Sequence, residues 1–191
     1  MGAPRPPGPS GVLAVDKPAD WTSHDVVARS RKLLGTRKVG HSGTLDPGAT
    51  GVLVLGVGAA TRLLRYLTPL PKTYEATIRF GAETTTLDAD GDEVVHHDMT
   101  GLTPDAVAAA AVAFVGEIEQ VPPMVSAVKV GGRRLHELAR EGIEVDRAAR
   151  RVTVTRFEVA PTDDPLRYRA EVECSAGTYV RTLAADLGHA L

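Results

Sequence analysis

The run Val52-Leu53-Val54-Leu55-Gly56-Val57 constrains this chain most. Six apolar or small residues in a row are too few for a buried helix and read as a strand covered on both faces. The run follows at once on His41-Ser42-Gly43-Thr44-Leu45-Asp46-Pro47-Gly48-Ala49-Thr50-Gly51, a loop of small residues with one carboxylate. The loop is therefore expected to be anchored at the edge of a sheet. Asp46, followed by a Pro and surrounded by small side chains, has little freedom and open space around it. That setting suits a nucleophile or base that a bulky substrate must approach closely. An Asp before Pro and Gly is also a common turn residue, so the loop does not decide the matter by itself.

The chain of 191 residues, 43% hydrophobic, is long enough for one compact core and too apolar for a disordered tail. The reading places a Pro- and Gly-rich disordered tail at residues 1–10 and a single domain over 11–191, with no linker dividing it. No apolar run has the length of a bilayer span and no leader pattern opens the chain, so the expected location is cytoplasmic and no membrane contact is expected. The single Cys174 excludes an internal disulfide and gives no cysteine cluster for zinc. It shares an alternating face with Tyr168, Ala170 and Val172 and reads as core.

Net charge is -2 and the sequence pI about 6.3, which taken alone argues against nucleic-acid binding. Distribution matters more than the sum. Basic residues gather at Arg29, Arg31, Lys32, Arg37 and Lys38, and again at Lys129, Arg133, Arg134 and Arg140, while acids gather between Asp88 and Asp98.

Periodicity predicts a strand over 11–15 and a helix capped by Thr22 or Ser23 that buries Val26, Val27, Ser30, Leu33 and Leu34 and closes at Gly35. A short helix over 61–67 should turn Leu63, Leu64 and Leu67 inward. A strand follows over 74–80, then a polar loop over 84–92. Thr103-Pro104-Asp105 opens an Ala-rich helix ending near Gly116. Leu135 to Arg140 is a short helix after a Gly131-Gly132 turn. Paired strands follow over 152–159 and 166–174, with a bulge near Thr155, and a final helix covers 179–191. Helices scattered among hairpin-like strands predict an α+β fold, with a mixed, mostly antiparallel central sheet flanked by helices.

Three local patterns imitate other chemistries. Gly56-Val57-Gly58-Ala59-Ala60-Thr61 lacks the third glycine and the spaced acid of a dinucleotide fingerprint. Asp88-Ala89-Asp90-Gly91-Asp92 lacks the glycine position and late Glu of a calcium loop. His96-His97 has no partner at metal spacing. These read as turns and surface.

The 41–51 loop resembles the catalytic loop of the TruB family, tRNA pseudouridine synthases that modify the T-loop uridine. Lys17-Pro18, Lys72-Thr73-Tyr74, Pro122-Pro123-Met124-Val125-Ser126-Ala127-Val128-Lys129 and Gly177-Thr178-Tyr179-Val180-Arg181-Thr182-Leu183 resemble that family's other motifs, in its order. Together they cover nearly all the chain from residue 11. The resemblance implies the pseudouridine synthase catalytic fold, a tRNA T-arm as partner, a monomer, and neither cofactor nor metal.

It also implies roles. Asp46 attacks or deprotonates the target nucleoside; the glycosidic bond breaks, the uracil rotates, and it rejoins through carbon. Whether Asp46 adds to the ring, adds to the sugar or removes a sugar proton stays open. Burial would raise its pKa, and a fixed cation opposes that; the family pairs the Arg matching Arg181 with this Asp. Tyr74 stacks on the uracil or assists proton transfer. His41 stacks in the space left by a flipped base. Tyr179 forms a pocket wall, and Lys17 supports the site. The segment 122–143 resembles the family's mobile insertion, with Lys129, Arg133, Arg134 and Arg140 toward phosphates. His136 stands where the family often has Tyr. A carboxylate of the 88–92 loop, Asp90, is a further candidate RNA contact. The family continues past the point matching Leu191 with a Leu-Arg-Arg-Thr-like segment and often a C-terminal RNA-binding (PUA) domain, so the chain reads as truncated. A tRNA-binding or tRNA-folding module without catalysis is therefore the alternative reading.

Overall fold

The computed structural model describes residues 8–191; the predicted tail lies outside the described residues over its first seven positions. The chain divides into two compact units, Met1–Leu70 and Pro71–Leu191. The division falls in Thr68-Pro69-Leu70-Pro71, too short a stretch to stand out as a linker in composition.

The first unit holds β1 (Gly11–Lys17), α1 (Ser23–Leu34), β2 (Val39–His41), β3 (Gly51–Val57), a 3-10 turn (Gly58–Leu63) and α2 (Leu64–Leu67). Its sheet has the order β1-β3-β2 and is antiparallel, with Lys17 opposite Gly51 and His41 opposite Leu55. The predicted strand thus lies at the centre of its sheet. Val26, Val27, Val39, Leu53, Leu55 and Val57 form the core, with Val15, Leu34 and Leu45 packed on it.

Helix α1 starts where its cap chemistry requires. Thr22 Oγ1 accepts from Asp25 N at 3.1 Å, and Thr22 N donates to Asp25 Oδ2 at 2.9 Å. Such a cap contributes about 1 kcal/mol. Gly35 ends the helix in the left-handed region at φ 61°. Leu33, expected inside, is exposed, because it lies at the margin of the arc set by Ser23, Val26, Val27 and Ser30. Leu63 is exposed as well. The segment 58–63 is 3-10 rather than α-helical, and its tighter turn separates Leu63 from the half-buried Leu64 and Leu67. Gly56 is required by close approach: a Cβ there would meet the Ala60 carbonyl oxygen and Thr61 Cα at 2.9 Å. Ser10, within the predicted tail, accepts from Ala59 N at 2.9 Å.

The second unit contains β4 (Lys72–Arg79), β5 (Ala82–Thr84), β6 (Glu93–His96), α3 (Pro104–Val112), β7 (Gly116–Gln120), β8 (Lys129–Val130), β9 (Arg133–Arg134), α4 (Leu135–Arg140), β10 (Arg150–Pro161), β11 (Arg167–Cys174) and α5 (Val180–His189). Its main sheet runs β4-β11-β10-β7, antiparallel throughout. Helices α3 and α5 place Val107, Ala111, Leu183 and Leu187 against Ile78, Val154, Phe157, Tyr168, Ala170 and Val172 in one core. Cys174 is fully buried there, and burial pushes its thiol pKa up. The predicted bulge is present as a register shift between Val154 and Arg156. Two hairpins, β5-β6 and β8-β9, complete the unit.

One expectation is corrected here. The Ala-rich helix stops at Val112, and Gly116–Gln120 is a fourth strand of the sheet, paired with β10. Its sequence, Gly-Glu-Ile-Glu-Gln, has one large apolar side chain, so period-two alternation is almost invisible.

Candidate functional site

In the first unit the Asp46 loop is gripped on both sides of the carboxylate. Upstream, Leu45 N donates to Ser23 Oγ at 2.9 Å, and Ser23 is buried in the first turn of α1. Downstream, the Pro47 carbonyl accepts from Lys17 Nζ at 2.9 Å and from Asp20 N at 3.0 Å. Asp20 reaches it from the left-handed region, at φ 64°. Ala49 N closes a turn onto the Asp46 carbonyl at 3.1 Å. Asp46 is half-buried.

Lys17 is fully buried and its ammonium also donates to the carbonyls of Pro18 at 2.9 Å and Trp21 at 2.6 Å. Three carbonyl acceptors match the three donors of an ammonium. Burial lowers its pKa, opposed by the carboxylates of Asp20, Asp46 and Asp25. Lys17 acts on the loop through the Pro47 carbonyl.

His41 ends β2 immediately before the loop and is half-buried. Its Nδ1 lies 2.7 Å from the Gly43 carbonyl oxygen. A carbonyl can only accept, so Nδ1 carries the proton. His24, exposed on α1, meets the His41 ring edge-on, with centroids 5.4 Å apart and planes at 77°. Burial pushes the His41 pKa below its ordinary value; the Gly43 bond opposes this and His24 adds to it.

In the second unit Arg181 occupies the first turn of α5, its side chain 9% exposed. Nη1 donates to Asp88 Oδ2 at 3.1 Å and to the Thr86 carbonyl at 3.2 Å; Nη2 donates to the Val125 carbonyl at 2.7 Å. Asp88 Oδ1 in turn accepts from Thr86 Oγ1 and from Asp90 N. Asp88 and the carbonyls of Thr86 and Val125 hold the guanidinium together. The sequence reading singled out Asp90, which is exposed. Alternating aspartates in one loop do not reveal which points inward. Leu87, beside Asp88, turns the loop in the left-handed region at φ 62°.

A second residue missed from sequence is Gln120, at the end of β7 and 2% exposed. Its Oε1 accepts from Tyr179 N at 2.7 Å, and its Nε2 donates to the Tyr179 carbonyl at 3.1 Å. This pair holds the residue that opens α5, two positions before Arg181. Tyr179 and Tyr74 are half-buried, and Tyr74 lies on β4 opposite Val172. In the insertion, Lys129 is exposed and Arg133 pairs with Glu141 at 2.5 Å, which raises the Arg133 pKa. His136 Nδ1 lies 3.0 Å from the Ser126 carbonyl oxygen.

Among the described residues no group of three or more His, Cys, Asp or Glu side chains is placed to hold a metal ion, and no helix is long and apolar enough to cross a membrane. A cavity of about 630 Å³ opens between the end of β4, the 84–91 loop and the end of α5, bordered by Phe80, Leu87, Asp88, Met99 and Gly188.

Residues 31–180 match the TruB family pseudouridylate synthase, N terminal domain. The chain is 56% identical over 181 residues to tRNA pseudouridine synthase B of Mycobacterium sp. (strain KMS), covering 93% of this chain and 61% of that protein. It is 57% identical over 185 residues to the protein of that name from Rhodococcus jostii (strain RHA1), covering 95% and 61%. The chain thus spans about 61% of the length of these relatives. Among solved structures it resembles a chain of a Cbf5-Nop10-Gar1 complex, with TM-score 0.71 and 34% identity over 95% of this chain and 44% of that one. It also resembles a chain of an H/ACA RNP bound to a substrate RNA containing 2'-deoxyuridine, with TM-score 0.66 and 29% identity over 95% and 43%. The α+β architecture is that of these neighbours, and the chain belongs to the TruB family of pseudouridylate synthases.

Proposed function

We propose that this chain carries the catalytic core of a tRNA pseudouridine synthase that isomerises the T-loop uridine, position 55, through Asp46. The observation that carries the reading is the double grip on the loop, by Ser23 at Leu45 and by Lys17 and Asp20 at Pro47. A carboxylate fixed before substrate arrives needs no reorganisation as charge develops. A plain turn residue has no use for a buried ammonium behind it.

In this reading Asp46 acts on the target nucleoside, and Arg181, oriented by Asp88, supplies the opposing positive charge. Tyr74 offers a ring face and a phenol to the uracil. His41, whose pKa burial lowers, fills the gap in the loop stack after the base flips. Family membership and the tRNA named for the relatives support the substrate class.

The test is incubation of the purified chain with unmodified tRNA transcript, followed by base-specific detection of pseudouridine. Product at the T-loop uridine is expected, with none from Asp46→Asn while RNA binding persists. Full activity in Asp46→Asn would overturn the mechanism. Binding without product by the wild-type chain would favour a tRNA-binding or tRNA-folding module.

A further inference from the structure

Ionic pairing differs between the two units. Met1–Leu70 contains nine Lys and Arg against four Asp and Glu, whereas the whole chain carries a net charge of -2. In Pro71–Leu191, Arg79, Arg133, Arg156, Arg167 and Arg181 each pair with a carboxylate. Among the described residues, Arg29, Arg31, Lys32, Arg37 and Lys38 form no ion pair with a carboxylate. No Asp or Glu occurs between Asp25 and Asp46. Asp20, Asp25 and Asp46 all act on the buried Lys17, and Asp25 is further engaged by Thr22. Three of the four acids of this unit act on Lys17, and none lies in the 26–45 stretch that holds these five basic residues.

Those basic residues are fixed to the Asp46 loop by short, rigid paths. Arg29 and Lys32 stand three apart, on one exposed face of α1. Arg37 and Lys38 are exposed in the turn that leads into β2. Arg31 Nη2 donates to the Val39 carbonyl at 2.9 Å, and Gly58 N donates to the Lys38 carbonyl at 2.8 Å. The end of α1 and the start of β2 are therefore tied together and to β3. From Lys38 the strand runs directly to His41, about 10 Å at the rise of an extended chain. Exposed cations left unpaired repel each other and are stabilised by a polyanion that displaces its own counterions.

We infer that the exposed face made by Arg29, Lys32, Arg37 and Lys38 is the principal phosphate-docking surface of this chain, taking the RNA backbone that flanks the nucleotide at the Asp46 loop. The inference draws only its partner class, a folded RNA, from the proposed function. It differs from the expectation that the 122–143 insertion supplies the phosphate contacts. There Arg133 pairs with Glu141 while Lys129, Arg134 and Arg140 form no ion pair among the described residues, but two acids, Glu137 and Glu141, lie within the segment itself, whereas none lies between Asp25 and Asp46.

The experiment measures binding of the full chain to unmodified tRNA transcript across a salt series, beside anionic phospholipid vesicles as a second polyanionic probe. Arg29→Gln/Lys32→Gln/Arg37→Gln/Lys38→Gln is compared with Arg79→Gln/Arg167→Gln and with Lys129→Gln/Arg133→Gln. The fourfold variant should weaken binding at least about tenfold near 0.1 M salt and flatten the plot of log K against log salt by about 3, at roughly 0.7–0.9 per lost phosphate contact. The Arg79/Arg167 variant should keep the wild-type slope. All four positions are exposed, so the thermal transition should match wild type.

An unchanged slope in the fourfold variant overturns the inference, as does a larger loss from Lys129→Gln/Arg133→Gln, or binding to vesicles but not to RNA. Pseudouridine formation is scored separately. Loss of slope in a chain that makes no product leaves the docking surface standing and removes the catalytic reading. Product with an unchanged slope does the reverse.

Discussion

Arg181 donates from Nη1 to Asp88 Oδ2 at 3.1 Å, joining the first turn of α5 to the loop that follows β5. Both side chains are mostly buried, 9% and 25% exposed, so water replaces a lost partner poorly. Asp88→Ala should cost about 1.5–3 kcal/mol, the range for a hydrogen bond to a charged group. It should also reduce pseudouridine formation without an equal loss of tRNA affinity. Asp88→Asn keeps an acceptor and should recover stability more than activity. Urea unfolding and single-turnover product assays check both; equal activity in Asp88→Ala and wild type would remove Asp88 as a positioning residue.

Lys17→Met removes a buried ammonium from three carbonyls, those of Pro18, Trp21 and Pro47. The Pro47 carbonyl keeps Asp20 N, while those of Pro18 and Trp21 are orphaned at roughly 1–3 kcal/mol each, so a loss of about 2 kcal/mol or more is expected. Lys17→Arg should not restore it, because a planar fork cannot point three donors as an ammonium does. Amide hydrogen exchange should show the 44–49 loop opening first in either variant. Unchanged protection there would mean that Lys17 does not hold the loop.

His41 should titrate below its ordinary value of 6.5, chiefly because burial disfavours the imidazolium. The sign follows from linkage. Between the lowered folded value and 6.5, the unfolded chain binds a proton that the folded chain refuses. The contribution to stability is therefore complete above about pH 6.5 and declines as pH falls below it, levelling off under the folded pKa. His24→Ala removes the neighbouring imidazole that adds to the lowering and should move the His41 midpoint upward. Imidazole NMR titration reads both directly; a midpoint at or above 6.5 in the wild type would contradict the burial argument.

Gln120→Leu is close to isosteric, yet it leaves the N–H and the carbonyl of Tyr179 without their side-chain partners. A destabilisation of about 2 kcal/mol or more is expected. Gln120→Glu retains an acceptor for Tyr179 N but places a charge where exposure is 2%, and should be worse. Thermal unfolding of the three proteins ranks them; Gln120→Glu at least as stable as wild type would refute the assignment.

Much of this was legible where the signal is local. The Thr22 cap, Gly35, the Thr103-Pro104 start and the shift near Thr155 are decided by a few adjacent residues, and each is present. Cys174 was placed in the core because alternation with Tyr168, Ala170 and Val172 is strict. What escaped depends on distant chain. β7 has one large apolar residue, and its identity as a strand comes from pairing with β10. Gln120 carries no local signal because its partner, Tyr179, is 59 residues away. Asp88 likewise takes its place from Arg181, 93 residues away. Lys17 was recognised as a support, but its target, the Pro47 carbonyl, required the antiparallel register of Lys17 with Gly51.

The Val125 carbonyl, which receives Arg181 Nη2 at 2.7 Å, lies between Gln120 and the β8-β9 hairpin. Six residues thus touch the start of α5 twice, once through Gln120 and once through Val125. A displacement of the hairpin must either carry the guanidinium with it or break that bond. Position of the hairpin and orientation of Arg181 then become linked equilibria, and linkage is reciprocal. Whatever orders the hairpin would sharpen the guanidinium's aim, and a substitution that loosens Arg181 would loosen the hairpin in turn.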